Sequence, residues 1–82
     1  MNYLKIRKSY GSNGEKYVFI HENRKEESIL VAIPSVHWSY LYKYEESGPE
    51  TYEKIRETLE KVTLPEEALE LSQRIRQWTS EM

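Results

Sequence analysis

The sequence has 82 residues, which is enough for one small domain, 1–82, and too short for two. It contains no cysteine, which excludes the disulfide framework of small secreted domains and favours a cytoplasmic protein. Its 12 basic and 14 acidic residues nearly balance, so the chain lacks the basic surplus that is typical of nucleic-acid-binding proteins.

The N-terminal part of the chain predicts a β-hairpin. Residues 3–10 alternate between polar and apolar side chains, as a half-buried strand does. The segment Gly11-Ser12-Asn13-Gly14 predicts a tight turn, because glycine and asparagine accept positive φ. Residues 16–22 are rich in β-branched and aromatic side chains and predict the second strand.

Two further strands are predicted before the middle of the chain. The run Ser28–Ile33 is almost wholly apolar, which is typical of a central strand covered on both faces. Pro34 either ends this strand or lies in a bulge, because it has no N–H to donate. Residues 36–45 alternate with a period of two and predict a fourth strand.

The remaining residues predict two helices. The segments 47–50 and 63–66 both match a capping box, in which a Ser or Thr and a later Glu bond the first free backbone N–H groups. Apolar residues then recur at helical spacing: Tyr52, Ile55, Leu59 and Val62 in the first helix, and Ala68, Leu71, Ile75 and Trp78 in the second. The sequence therefore predicts an α+β fold, with an antiparallel three- to four-stranded β-meander followed by two C-terminal helices packed on one sheet face.

Four aromatic residues of the fourth strand, Trp38, Tyr40, Tyr42 and Tyr44, share one predicted face. Strand aromatics can stack on bases in single-stranded nucleic acid. Such a platform normally carries interleaved basic residues, whereas the single lysine within this stripe, Lys43, points to the other face. We therefore expect the aromatic stripe to pack under the helices as part of the core.

The usual combinations of catalytic and metal-binding residues are absent from the sequence. The chain has two histidines, His21 and His37, and neither aspartate nor cysteine, whereas a zinc site needs three or four ligands. His37 and Ser39 are two residues apart on one strand face, and an enzyme that uses this pair is an alternative hypothesis. We predict no catalytic residues, no metal, no cofactor and no small-molecule substrate.

The sheet face opposite the helices is the predicted interaction surface, and its candidate residues are Lys5, Arg7, His37, Ser39, Leu41 and Lys43. We expect this face to be mostly polar, with apolar interruptions from Val18, Ile20 or Leu41. Exposed apolar residues among charges are typical of protein interfaces. The predicted function is a non-catalytic protein-interaction or self-associating module, with a protein partner or a second copy as its occupant.

A basic cluster on the first strand supports a second hypothesis. Lys5, Arg7 and Lys8 would form a modest positive side of the sheet that binds nucleic acid weakly. Lysine on an edge strand also prevents edge-to-edge aggregation, and this explanation needs no ligand. We favour edge protection, because the basic surplus is small.

Four segments of the chain resemble the YueH-like family of small proteins from Gram-positive bacteria. They are 21–27 (HENRKEE), 31–35 (VAIPS), 37–39 (HWS) and the final 74–79, which begins Arg-Ile and ends Trp-Thr. The resemblance covers nearly the whole chain. It implies a single cytoplasmic domain and adds no activity, cofactor or site residues.

Overall fold

The chain folds into one sheet followed by two helices. The computed structural model describes residues 2–11 and 14–82. The four strands pair antiparallel in the order β1-β2-β3-β4. Their bounds and those of the helices are β1 Asn2–Gly11, β2 Gly14–Asn23, β3 Ser28–Ile33, β4 Trp38–Lys43, α1 Pro49–Leu59 and α2 Pro65–Ser80. The predicted α+β fold is confirmed, with four strands in the meander.

β1 and β2 form a hairpin that is longer than the rest of the sheet. Each has ten residues, whereas β3 and β4 have six. The register pairs Gly11 with Gly14, and Gly14 has a φ of 100°, which glycine adopts without strain. The other two residues of the predicted turn, Ser12 and Asn13, lie outside the described residues. The hairpin therefore extends as a two-stranded end beyond the four-stranded part of the sheet.

Pro34 ends β3 and begins a short 3-10 turn, Pro34–Val36. The N–H of His37 donates to the Pro34 carbonyl at 3.0 Å, and His37 has a φ of 53°. This turn delays the fourth strand to Trp38, so the predicted strand start at residue 36 is wrong. A proline fixes φ near the value that a 3-10 turn needs and cannot donate to the sheet, and both properties favour the turn.

Both helices begin with proline rather than with a capping box. The N-cap residues are Gly48 and Leu64, and no side chain caps either helix. Proline at the first helical position removes one of the four N–H groups that a helix leaves unbonded at its start, and its φ already suits a helix. The predicted capping boxes are therefore wrong, although the helices follow the predicted segments closely.

One face of the sheet packs against the helices and forms the core. The buried hydrophobic residues are Val18, Ile20, Ile29, Val31, Ile33, Trp38 and Tyr42 from the sheet and Ile55, Leu59, Ala68, Leu71 and Ile75 from the helices. The indole N–H of Trp38 donates to Thr58 Oγ1 at 3.0 Å, which ties β4 to α1. The expectation that the aromatic stripe belongs to the core is confirmed at Trp38 and Tyr42.

Hydroxyl groups connect β4 to both helices within this core. The Tyr42 hydroxyl lies 3.3 Å from that of Tyr52, and the Tyr52 hydroxyl lies 3.0 Å from Thr79 Oγ1. Thr79 Oγ1 donates to the carbonyl of Ile75 at 2.8 Å. Burial raises the pKa of the Tyr42 hydroxyl above its ordinary range, and the hydrogen bond with Tyr52 raises it further.

Candidate interaction surface

A contact between β1 and α2 shows which side of the sheet faces the helices. Lys5 Nζ donates to the carbonyl of Trp78 in α2 at 3.2 Å, so the odd-numbered residues of β1 point to the helices. Residues directly opposite each other in an antiparallel pair share a face. The register therefore places Leu4 beside His21, and Ile6 beside Phe19, on the side that no helix covers.

Two adjacent cross-strand rows on this uncovered side carry most of its apolar residues, and a third complete row, at one end, is polar: Asn2, Asn23, Ser28 and Lys43. The register gives one row as Leu4, His21, Leu30 and Leu41, and the next as Ile6, Phe19, Ala32 and Ser39. Lys8, Tyr10, Glu15 and Tyr17 continue the same side along the two-stranded end, and Lys43 lies at the opposite end of β4. We call the thirteen residues made up of the Leu4 row, the Ile6 row, the four residues of the two-stranded end and Lys43 the open sheet face.

The open sheet face leaves large apolar side chains in solvent. Leu4 is 58% exposed and Leu41 65% exposed, and Ile6, Tyr10 and Tyr17 are also exposed. An antiparallel sheet with one solvated face normally carries polar residues on that face. The prediction of a mostly polar face opposite the helices is therefore wrong for the rows of Leu4 and Ile6, where six of the eight residues are apolar.

Charged groups on the open sheet face lie at its ends and are already engaged. Lys8 Nζ lies 3.2 Å from Glu15 Oε2 and 5.1 Å from the centre of the Tyr17 ring. The hydrogen bond with the Glu15 carboxylate raises the pKa of the Lys8 ammonium. At the other end, Lys43 Nζ donates to the carbonyl of Glu26 at 3.2 Å. His21 is the one ionisable side chain in the two central rows.

The structure separates Lys5 and Arg7 from the rest of the predicted interaction surface. Lys5 is only 7% exposed and lies on the helix side of β1, so its predicted place on the exposed face is wrong. Its aliphatic stem crosses the apolar layer, and its ammonium reaches a carbonyl near the C-terminal end of α2. Arg7 shares this side of β1 but remains exposed.

Val18 and Ile20 were predicted to interrupt the exposed face, and this placement is also wrong. Both are fully buried in the core. They lie opposite Arg7 and Lys5 in the hairpin register and therefore share the helix side with them.

The remaining predicted residues divide between the open sheet face and a turn. Ser39, Leu41 and Lys43 lie together on the open sheet face, as predicted. His37 lies outside β4 in the left-handed conformation after the Pro34 turn. His37 and Ser39 therefore do not share a strand face, which removes the geometric basis of the proposed catalytic pair.

The basic cluster of β1 does not form one surface. Lys8 points to the open sheet face, whereas Lys5 and Arg7 point to the helix side, because successive side chains of a strand alternate between faces. A phosphate backbone could not contact all three residues from one direction. The hypothesis of nucleic-acid binding thus loses the arrangement on which it was based.

The part of the chain that the structure describes, residues 2–11 and 14–82, contains no group of three or more His and Glu side chains placed to hold a metal ion. It also contains no helix that is long and apolar enough to cross a membrane. Three of the seven residues that line a hollow where α1 begins are glutamates, Glu45, Glu46 and Glu50.

Comparisons with known proteins identify relatives of this chain. The model of a family described as "YueH-like protein" matches residues 5–81. "Uncharacterized protein YueH" from Bacillus subtilis (strain 168) is 40% identical over 65 residues, which cover 79% of this chain and 79% of that protein. No solved structure shows a significant match. The family match and the shared length agree with the resemblance seen in the sequence, and the chain belongs to the YueH-like family.

Proposed function

We propose that this chain is a non-catalytic protein-binding module whose binding surface is the open sheet face. The supporting observation is its two adjacent cross-strand rows, which present Leu4, Ile6 and Leu41 to solvent on the side that no helix covers. These residues add little to the stability of the isolated chain. Contiguous exposed apolar surface of this kind is typical of interaction sites.

The exposed side chains would contribute to binding once a partner covers them. Full burial of a leucine or isoleucine stabilises by about 1.5–3 kcal/mol. Leu4, Ile6 and Leu41 are about half exposed, so covering each one contributes about 1 kcal/mol. Several such contributions in contiguous rows must exceed the entropic cost of association before binding is observed.

The chemistry of the face favours a protein partner with a neutral, apolar surface. Its central rows contain no lysine, arginine or glutamate, and Lys8 at its two-stranded end is paired with Glu15. A nucleic acid would need free cations for its phosphates. The face presents hydrocarbon and aromatic rings instead, which favour a protein.

A photoreactive amino acid placed at Leu41 tests this proposal in cells. Leu69 in α2 provides a matched control, because it is also a leucine and is 48% exposed. Irradiation is expected to crosslink the chain to protein at position 41 and to leave the position 69 variant at its free mass. Adding Leu4→Glu on the same face should abolish the crosslink at position 41.

Two results would contradict the proposal. Equal crosslinking at positions 41 and 69 would show that the open sheet face has no special role. Absence of any adduct at position 41 would show that no protein covers it.

A further inference from the structure

We infer that the partner of the open sheet face is a second copy of this chain, packed sheet against sheet. This inference rests on the proposed function and specifies its partner. It is supported by the width, area, charge and side-chain sizes of the face.

The width of the face favours a sheet as its partner over a single helix. Four strands spaced about 4.8 Å apart are about 19 Å wide. An α-helix with its side chains is about 10–12 Å across. One helix would therefore leave nearly half of the face in water, whereas a second four-stranded sheet would cover its whole width.

The area of the face is sufficient for a specific dimer. The four-stranded part is five residue pairs long, or about 17 Å, which gives a footprint of about 320 Å². The two-stranded end adds about 160 Å². Two copies would thus bury on the order of 1,000 Å² together, close to the lower limit for a specific interface.

The distribution of charge permits two copies of the face to meet. The central rows carry no lysine, arginine or glutamate that would repel its own copy. Lys8 and Glu15 form a pair of opposite sign within one chain, and Lys43 lies at the far end of β4. Like charges therefore do not oppose each other at the centre of the proposed contact.

The sizes of the side chains indicate how the two copies are arranged. A two-fold axis that runs parallel to the strands, midway between the two sheets and over the gap between β2 and β3, places β1 over the partner's β4 and β2 over the partner's β3. The large Phe19 then lies over the partner's Ala32, and Leu4 lies over the partner's Leu41. Sheets packed in this way are about 10 Å apart and rotated by about 30°, so these pairs are neighbours rather than exact contacts.

Sedimentation equilibrium of the purified chain tests the inference directly. Over about 10 µM to about 1 mM, the wild-type mass is expected to rise from that of one chain towards that of two. Leu41→Glu should weaken the association at least about a hundredfold, because the two-fold axis places the glutamate twice in the interface. Leu4→Glu is a second variant with the same expected effect.

Leu69→Glu is the control, because it adds the same charge to an exposed leucine outside the face. It should associate like the wild type. Circular dichroism of every variant must show the wild-type fold. Equal weakening by Leu69→Glu and Leu41→Glu would overturn the inference.

A single introduced cysteine tests the position of the axis, because the natural chain has none. Ala32→Cys lies on β3 beside the proposed axis, so a short bis-maleimide should join two copies. Leu69→Cys should remain a single chain. Crosslinking at position 69 but not at position 32 would overturn the arrangement.

Failure of this inference differs from failure of the proposed function. A wild-type chain that stays monomeric at about 1 mM overturns self-association. If position 41 still crosslinks to a different polypeptide in cells, the face remains a protein-binding surface. If position 41 gives no adduct, both proposals are wrong.

Discussion

Two lysines on the helix side of the sheet hold α2 near its two ends. Lys5 donates to the Trp78 carbonyl near the C-terminal end of α2, which also accepts from the backbone N–H of Glu81. Lys16 Nζ lies 2.7 Å from Oε1 of Glu67 in the first turn of α2, as an ion pair rather than an aligned hydrogen bond. Buried ions are stable only with partners, so these contacts fix α2 along the hairpin. Lys5 is also an inward-pointing charge on an edge strand, which opposes addition of a further strand.

The Tyr42 hydroxyl makes the stability of the protein depend on pH in the alkaline range. In the unfolded chain this hydroxyl ionises near pH 10. Its pKa is higher in the folded state, where burial and then Tyr52 oppose ionisation. Above about pH 10 the folded state keeps a proton that the unfolded state loses, so the free energy of unfolding falls as the pH rises.

Tyr42→Phe tests this dependence by removing one oxygen atom. The variant should lose about 1 kcal/mol of unfolding free energy near neutral pH, because the contact with Tyr52 is lost. By about pH 11 the difference from wild type should shrink by about 1 kcal/mol. Urea unfolding followed by circular dichroism measures both values. A difference between Tyr42→Phe and wild type that is constant with pH would contradict the argument.

The end of the β1–β2 hairpin and the start of α2 leave no room for a side chain at Gly11. A Cβ atom at this position would collide with the carboxylate of Glu67. Glu67 cannot move away without cost, because it is buried and paired with Lys16. Gly11 is therefore required for space.

Gly11→Ala should reduce the free energy of unfolding by about 1–3 kcal/mol, which is typical of an overpacked site. In a Glu67→Ala background the same substitution should cost much less, because the colliding carboxylate is gone. Chemical denaturation of the four chains in this double-mutant cycle measures the coupling. Strictly additive effects would show that the glycine and the glutamate do not compete for space.

The sequence predicts an element well where its local residue pattern allows only one conformation. Ser28–Ile33 is a continuous apolar run, and its predicted bounds are the observed ones. The helix starts were predicted less well, because Ser47 and Thr63 match a capping box in sequence but lie one residue before the N-cap positions, Gly48 and Leu64. The predicted start of β4 was two residues too early, because alternation alone does not reveal a turn at Pro34–Val36.

The open sheet face was only partly predictable, because two neighbouring strands gave opposing signals. In β1 the apolar residues are even-numbered, such as Leu4, and in β2 the most apolar include Val18 and Ile20. The Gly11–Gly14 register places these two sets on opposite faces. That register was available from the turn residues. The burial of Lys5 could not be predicted from the sequence, because its partner is a carbonyl 73 residues away.

At the scale of the whole molecule, two apolar layers lie on opposite sides of one sheet. The helices cover one layer, and the other forms the open sheet face. A chain of this length has a total stability of about 4–12 kcal/mol. The loss of one core side chain therefore removes a large fraction of it.

The same substitution in the two layers should have very different effects. Leu71 is fully buried and Leu41 is 65% exposed. Leu71→Ala should lower the free energy of unfolding by about 2–5 kcal/mol. Leu41→Ala should change it by less than about 0.5 kcal/mol in dilute monomer. Urea titration at low protein concentration compares them, and a similar loss for both would show that the open sheet face contributes to folding.

The alternation of β2 has a consequence for how the protein can evolve. Val18 and Ile20 belong to the core, whereas Phe19 between them and Tyr17 before them belong to the open sheet face. A mutation at Phe19 therefore alters the outer surface without touching the residues that hold the helices. The outer positions can change together with the surface that they bind, while the inner ones are constrained by the packing of the helices. The fold can persist while the surface acquires new specificity.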